Sequence, residues 1–202
     1  MPKIKASSTK IVEAVLFLAA SKGWEGITLE AIARRAKLSI HTVRQDFDSP
    51  AALVPLILDV LDREAFAQAD ITGSPKERLF ELHMARLERF QKNRAGVIAL
   101  FNAARRDKAL ACRLTRATGT SVKRLTTLAR LDTLPTPVLF VGLAGLHVWI
   151  LRVWMRDDTS DLRQSMAALD RALRWGKEAR SWVQKGKMRP PNRSQETPNR
   201  DS

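Results

Sequence analysis

The chain has no tyrosine, a single cysteine (Cys112), and only nine glycines and nine prolines among 202 residues. One cysteine excludes an intramolecular disulfide and fits a reducing, cytoplasmic setting. Sparse glycine and proline, beside abundant alanine, leucine, arginine and lysine, suit helices. Strict apolar–polar alternation is nearly absent, which argues against half-buried strands. The longest apolar run, Val138 to Leu151, contains His147 and falls short of the ~20 residues a membrane span needs. It reads as a buried core helix. The opening MPKIKASSTK lacks the apolar segment of a secretory signal. No internal repeat is found. With 45% hydrophobic residues the chain is globular, and its length allows one or two domains.

Catalytic patterns are missing too. His41, His83 and His147 are scattered; none stands four residues from another or near Cys112, so no zinc site is suggested. There is no phosphate loop of the Walker kind and no nucleophile elbow. The pair Asp157–Asp158 sits at a helix boundary and reads as capping. The expectation is a protein that is not an enzyme and carries no cofactor or metal.

What is present is helical periodicity almost throughout, predicting an all-α chain of about nine helices. The first runs from about Thr9 to Lys22, with Ile11, Val15, Leu18 and Ala19 as its buried stripe and Gly23 as its terminator. Trp24 and Ile27 fill the link to a second helix, Leu29 to Ala36, capped by Thr28. Ser39 caps a third, Ile40 to about Phe47. Ser49 caps a fourth, which starts with Pro50, bends at Pro55 and ends near Gln68. DITGSPKE, Asp70 to Glu77, is the clearest break, and it separates residues 1–68 from 75–184. Amphipathic helices follow over about 76–93, 96–106 and 108–131. After DTLPTP (Asp132 to Pro137) come two long helices, 138–156 and 159–184. The former is apolar nearly all round, as a buried helix is. The tail 186–202 has almost no apolar residues and is expected to be disordered.

The net charge is +14. So basic a chain suits an anionic partner, or else carries a solvated basic surface and tail. Charge alone does not put the partner at the N-terminus. Residues 1–50 hold eight basic and five acidic residues, and the remaining +11 lies beyond Pro50.

LEAIARRAKLSIHTVRQDFD, Leu29 to Asp48, is two short helices with a three-residue break. Helices crossing at roughly 90–120° need a small residue at their contact and a short turn between them. Ala33 is the small residue; Leu38 and Val43 face the core with Ile32 and Phe47 beside them. Lys37 holds the turn position where glycine is usual, at a cost of about 1 kcal/mol for a left-handed backbone. On pattern alone, a DNA-binding helix-turn-helix and an ordinary helical hairpin are equally good readings.

From Ile11 to about Leu61 the chain resembles the N-terminal domain of TetR-family transcriptional regulators. The matching pieces are IVEAVLFLAASKGWEGITLEAIARRAKLS, then Thr42–Val43, Phe47, and Ser49 followed by Ala51–Ala52–Leu53, in order and without gaps. The resemblance implies a TetR-like fold: an N-terminal three-helix DNA-binding domain, its motif at about 28–47, and a C-terminal helical bundle for ligand binding and dimerisation. It implies a ligand-responsive repressor that binds a palindromic operator in double-stranded DNA as a homodimer, with one helix of the motif in the major groove. By position, Thr28 would hold a phosphate, while Ser39, Ile40, His41, Thr42, Arg44 and Gln45 would lie at or near the bases. Arg pairs bidentately with guanine and Gln with adenine. The chain departs from the family at three phosphate-binding positions. Arg44 replaces Tyr, Asp46 replaces His or Tyr, and Pro50 replaces Lys. Arg34, Arg35 and Lys37 on the adjacent turn either compensate or are solvated surface.

Further along, Gly142, Ala144 and Gly145 would let a partner helix approach, and Leu162, Met166, Leu169 and Leu173 would join them in a four-helix dimer interface. Packing within one chain is the other reading. Ligand-pocket candidates are His83, Met84, Leu87, Phe101, Phe140, His147, Trp149 and Trp154; plain core is the alternative for each. An apolar pocket would take a small hydrophobic molecule. Val153 to Leu173 also resembles the C-terminal part of TetR-fold ubiquinone-biosynthesis accessory proteins, which bind lipid rather than repress. That similarity implies contact with a membrane surface through the basic, Trp-flanked last helix and tail (Arg171 to Arg189). A bundle helix with a solvated face explains the same residues.

Overall fold

Nine α-helices form among the described residues, 2–131 and 136–184 of a computed structural model. They are α1 (Pro2–Lys22), α2 (Leu29–Ala36), α3 (Ile40–Asp46), α4 (Val54–Phe66), α5 (Pro75–Gln91), α6 (Arg94–Ala104), α7 (Lys108–Leu128), α8 (Thr136–Trp154) and α9 (Arg163–Gln184). The all-α expectation holds. The side chain of Phe140 and the tail 186–202 lie outside the described residues.

Helices α2 and α3 start with the predicted caps. The hydroxyls of Thr28 and Ser39 accept the N–H groups of Ala31 and Thr42, at 3.2 and 3.1 Å. Ser74 and Glu77 form a reciprocal capping box on α5. Trp24 and Ile27 are buried in the link, and Gly23 has φ +74°, which only glycine adopts cheaply.

Three helix starts differ from expectation. Helix α1 begins at Pro2 rather than near Thr9. Ser49 does not cap: its hydroxyl donates to Asp48, and Pro50–Leu53 form a 3-10 turn instead of the first turn of α4. Pro55 therefore falls in the first turn of α4, where its missing N–H costs no helical bond, and no bend is required of it. Helix α9 begins at Arg163; residues 159–162 form a turn that ends at Leu162 with φ 54°.

Helices α1, α2 and α3 pack as a unit, and α1 also lies along α6. Helix α4 leaves the helix-turn-helix and packs against both α5 and α7, while α8 packs on α7 and α9. One continuous apolar cluster runs from Ile11 in α1 to Leu173 in α9. Contact between α1 and α6 depends on Gly96, where a Cβ would stand 2.1 Å from the carbonyl oxygen of Leu16. That atom is backbone and cannot rotate away. Gly96→Ala should destabilise the protein by about 1–3 kcal/mol through forced separation of the two helices. A thermal melt checks this, and an unchanged or raised Tm would refute the close approach.

Candidate nucleic-acid interface

Helix α2 ends at Lys37, whose φ 56° and ψ 44° are left-handed as its turn position required. The N–H of Leu38 then donates to the carbonyl of Ala33 at 2.9 Å, so the chain reverses tightly before Ser39 starts α3. Ile32, Ala33 and Val43 are buried, and Leu38, Ile40 and Phe47 pack against the same core half-buried. The pairing of α2 with α3 is a helix-turn-helix.

Val43 anchors α3, and His41, Thr42, Arg44, Gln45 and Asp46 are exposed around it. Thr28 and Ser39 are exposed at the starts of α2 and α3. Ile40 is less accessible than its place at the start of the helix suggested. The exposed groups partner one another. Gln45 Nε2 lies 3.3 Å from His41 Nε2, and the Ser39 and Thr42 hydroxyls are 3.1 Å apart. Arg44 forms an exposed ion pair with Glu30 of α2. Hydrogen bonding at its own end of the helix, together with Thr28 and Arg44, holds the Glu30 carboxyl below its ordinary pKa. Between α2 and α3 lies an open groove of about 500 Å³ bordered by Thr28, Glu30, Arg44, Asp48 and Pro50. Arg35 of α2 is stacked over the Phe17 ring, 3.2 Å from its centroid.

Among the pocket candidates, His83, Met84, Leu87, His147 and Trp154 are buried. Phe101 is half-buried, and Trp149 faces outward from α8. His83 and His147 come together, ring centroids 6.1 Å apart. Trp154 packs edge-on against Phe90 and donates its indole N–H to Gln91. The centre of this region is a residue the sequence reading passed over. Arg86, 1% exposed, places Nη2 2.6 Å from Asp62 Oδ1 and donates to the Ser121 hydroxyl. Its Nη1 reaches a ring nitrogen of His147 at 3.0 Å. Ser121 donates to Asp62 Oδ2 at 2.5 Å. The approach to Oδ1 is an ionic contact rather than an aligned hydrogen bond, since Oδ1 has no hydrogen-bond donor. The cluster joins α4, α5, α7 and α8. Its sequence signal was a charge inside an apolar stripe: Arg86 falls between Leu82–His83 and Leu87–Phe90, and Asp62 between Leu58–Leu61 and Ala65.

The dimer candidates divide. Leu162, Leu169 and Leu173 are buried inside the protomer. Gly142, Gly145 and Met166 are exposed, together with Val141, Val148, Trp149 and Trp175. Asp157 performs the predicted capping. Burial pushes its carboxyl up, but hydrogen bonds from Thr159 and Ser165 prevail and bring the pKa to about 2.

Burial, opposed in part by the hydrogen bond to the Leu79 carbonyl and reinforced by Arg86, lowers His83 from 6.5 to about 4. Burial, then Arg86 and His83, also pushes His147 well below its ordinary value. Both histidines are thus neutral when folded and take up protons more readily when unfolded. For His83 that contribution is complete above about pH 6.5 and is lost as the pH falls toward about 4; for His147 it declines in the same direction below about pH 6.5. Each should lower stability by up to ~1.4 kcal/mol per pH unit across that window. Urea midpoints measured against pH should show the decline, with a shallower slope in His147→Gln, which keeps an acceptor for Arg86. Identical slopes would remove His147 from the explanation.

No family model matches the chain, and neither does any curated protein sequence. Solved structures do. A TetR transcriptional regulator from Nitrosomonas europaea is 20% identical, with a TM-score of 0.69, over 85% of this chain and 98% of that one. A TetR transcriptional regulator from Rhodococcus sp. RHA1 is 18% identical, with a TM-score of 0.61, over 86% and 96%. The flavonoid-responsive regulator FrrA is 16% identical, with a TM-score of 0.51, over 86% and 96%. At these identities the likeness is one of architecture: the chain has the fold of TetR transcriptional regulators.

Proposed function

We propose that the protein is a DNA-binding transcriptional regulator of TetR type, a ligand-responsive repressor acting as a homodimer on a palindromic operator. The observation that carries this reading is α3 itself, anchored through Val43 with His41, Thr42, Arg44 and Gln45 exposed on a helix set by a tight left-handed turn. A helix so presented fits the major groove, where Arg44 meets guanine and Gln45 adenine. Arg44 exchanges Glu30 for DNA on binding. An exposed ion pair is worth at most about 1 kcal/mol, so DNA competes for Arg44 easily.

Two copies of α3 must stand about one helical turn apart to read a palindrome, and the exposed apolar residues of α8 and α9 suit the dimer that would space them. Effector binding would act on the cluster of Arg86, Asp62, Ser121 and His147, because α4 runs from that cluster to the helix-turn-helix. A small, largely apolar molecule with a polar group for this cluster would shift the population between two spacings of the α3 pair.

Mobility shifts with genomic fragments should show specific binding, and Arg44→Ala should weaken it by about 1–3 kcal/mol. A folded dimer that shifts no fragment at moderate salt would overturn the reading. For the dimer, a Cβ at Gly145 meets nothing within 4 Å in the protomer. Gly145→Arg should therefore keep the helical spectrum while sedimentation changes from dimer to monomer; an unaltered dimer would move the interface elsewhere.

A further inference from the structure

Half of the chain's charge has no role in that reading. Residues 105–131 hold eight basic residues and one acidic, a balance of +7 within the total of +14. The acidic one, Asp107, accepts the N–H groups of Ala109 and Leu110 at the start of α7. Arg124 alone of the eight is committed, to Asp59 of α4 at 2.6 Å. Arg105, Arg106, Lys108, Arg113, Arg116, Lys123 and Arg130 are all exposed, with no ion pair among the described residues.

Several cations on other helices are paired. Arg89 of α5 meets Glu64, and Lys76 and Arg174 share Asp170. On α7, Arg116 and Lys123 are seven residues apart and hence on one side of the helix, about 10 Å from each other, with Arg113 beside them. The positions between are small or hydroxylic: Cys112, Thr115, Gly119 and Thr120. No acid interrupts the face, and like charges this close repel within a screening length of about 8–10 Å.

From this geometry we propose that α7 is a second nucleic-acid surface, which binds the phosphate backbone of double-stranded DNA without reading sequence. The inference rests on the reading of the protein as DNA-binding. Duplex DNA carries a charge for about every 1.7 Å of its axis, so a row of cations ~10 Å apart finds phosphates in any register. The alternative anionic surface, a lipid bilayer, suits this face poorly: it lacks the aromatic and leucine residues by which an amphipathic helix enters the interface. Helix α7 itself packs on the Pro50–Leu53 turn, which directly follows the helix-turn-helix.

The test is the salt dependence of binding to a random-sequence duplex, which needs no operator. Wild-type protein should bind, and replacing Arg113, Arg116 and Lys123 together by Gln should flatten the slope of log K against log salt by about 2 to 3, near 0.9 for each lost phosphate contact. Arg44→Ala should keep most of the random-duplex binding. Circular dichroism and sedimentation establish that each variant is folded. An unchanged slope in the triple variant overturns the proposal. So does a triple variant that loses retention on anionic vesicles but binds duplex as wild type does. If no genomic fragment is bound specifically yet random duplex is held through α7, the operator reading fails and this one stands. If wild-type protein holds no duplex, both fail.

Discussion

Arg86 is the constraint on which the rest of the helical bundle turns. A guanidinium with 1% of its surface exposed has lost its water, which costs several kcal/mol before any partner is found. Asp62 restores most of that by charge, Ser121 bridges the pair, and His147 supplies a neutral acceptor. Each partner comes from a different helix. Removing any one leaves a buried charge or donor uncompensated, so the four helices cannot slide independently. The same cation helps to hold His83 and His147 neutral. Burial of one charge thus fixes both the packing and the protonation of the interior.

Asp62 lies on α4, whose start follows the helix-turn-helix by way of the Pro50–Leu53 turn. Glu64, two residues on, receives Thr9 of α1 and Arg89 of α5. Together with Gly96 against Leu16, these contacts tie the N-terminal helices to the bundle at several points. Helix α4 thus shares contacts with both the N-terminal helices and the Arg86 cluster.

Charge is distributed by the same logic at the surface. On α5 and α9, Lys76, Arg89 and Arg174 meet acids. On α7, Arg124 meets Asp59 and the other cations meet none. On α3 the cation Arg44 is held by Glu30, which offsets part of the attraction any polyanion would feel there. Asp46 and Pro50 add no positive charge to that face.

The sequence by itself determined the helices, their caps and the helix-turn-helix, because these depend on residues three or four apart. Thr28, Ser39 and Ser74 cap as their types dictate, and Lys37 turns the chain despite its side chain. Neighbouring prolines misled: Pro50 and Pro55 together give a 3-10 turn before α4, not one bent helix. So did the starts of α1 and α9, which fall at Pro2 and Arg163. The tertiary structure alone decided which exposed charges are committed and which buried ones are tolerated. Arg44 finds Glu30 fourteen residues away, and Arg86 finds His147 across sixty-one. It also sent Leu162, Leu169 and Leu173 inward while leaving Gly142, Gly145, Met166 and Trp149 outward. Periodicity defines a helix's apolar face but not its neighbour; that depends on how the helices cross, which no local pattern records.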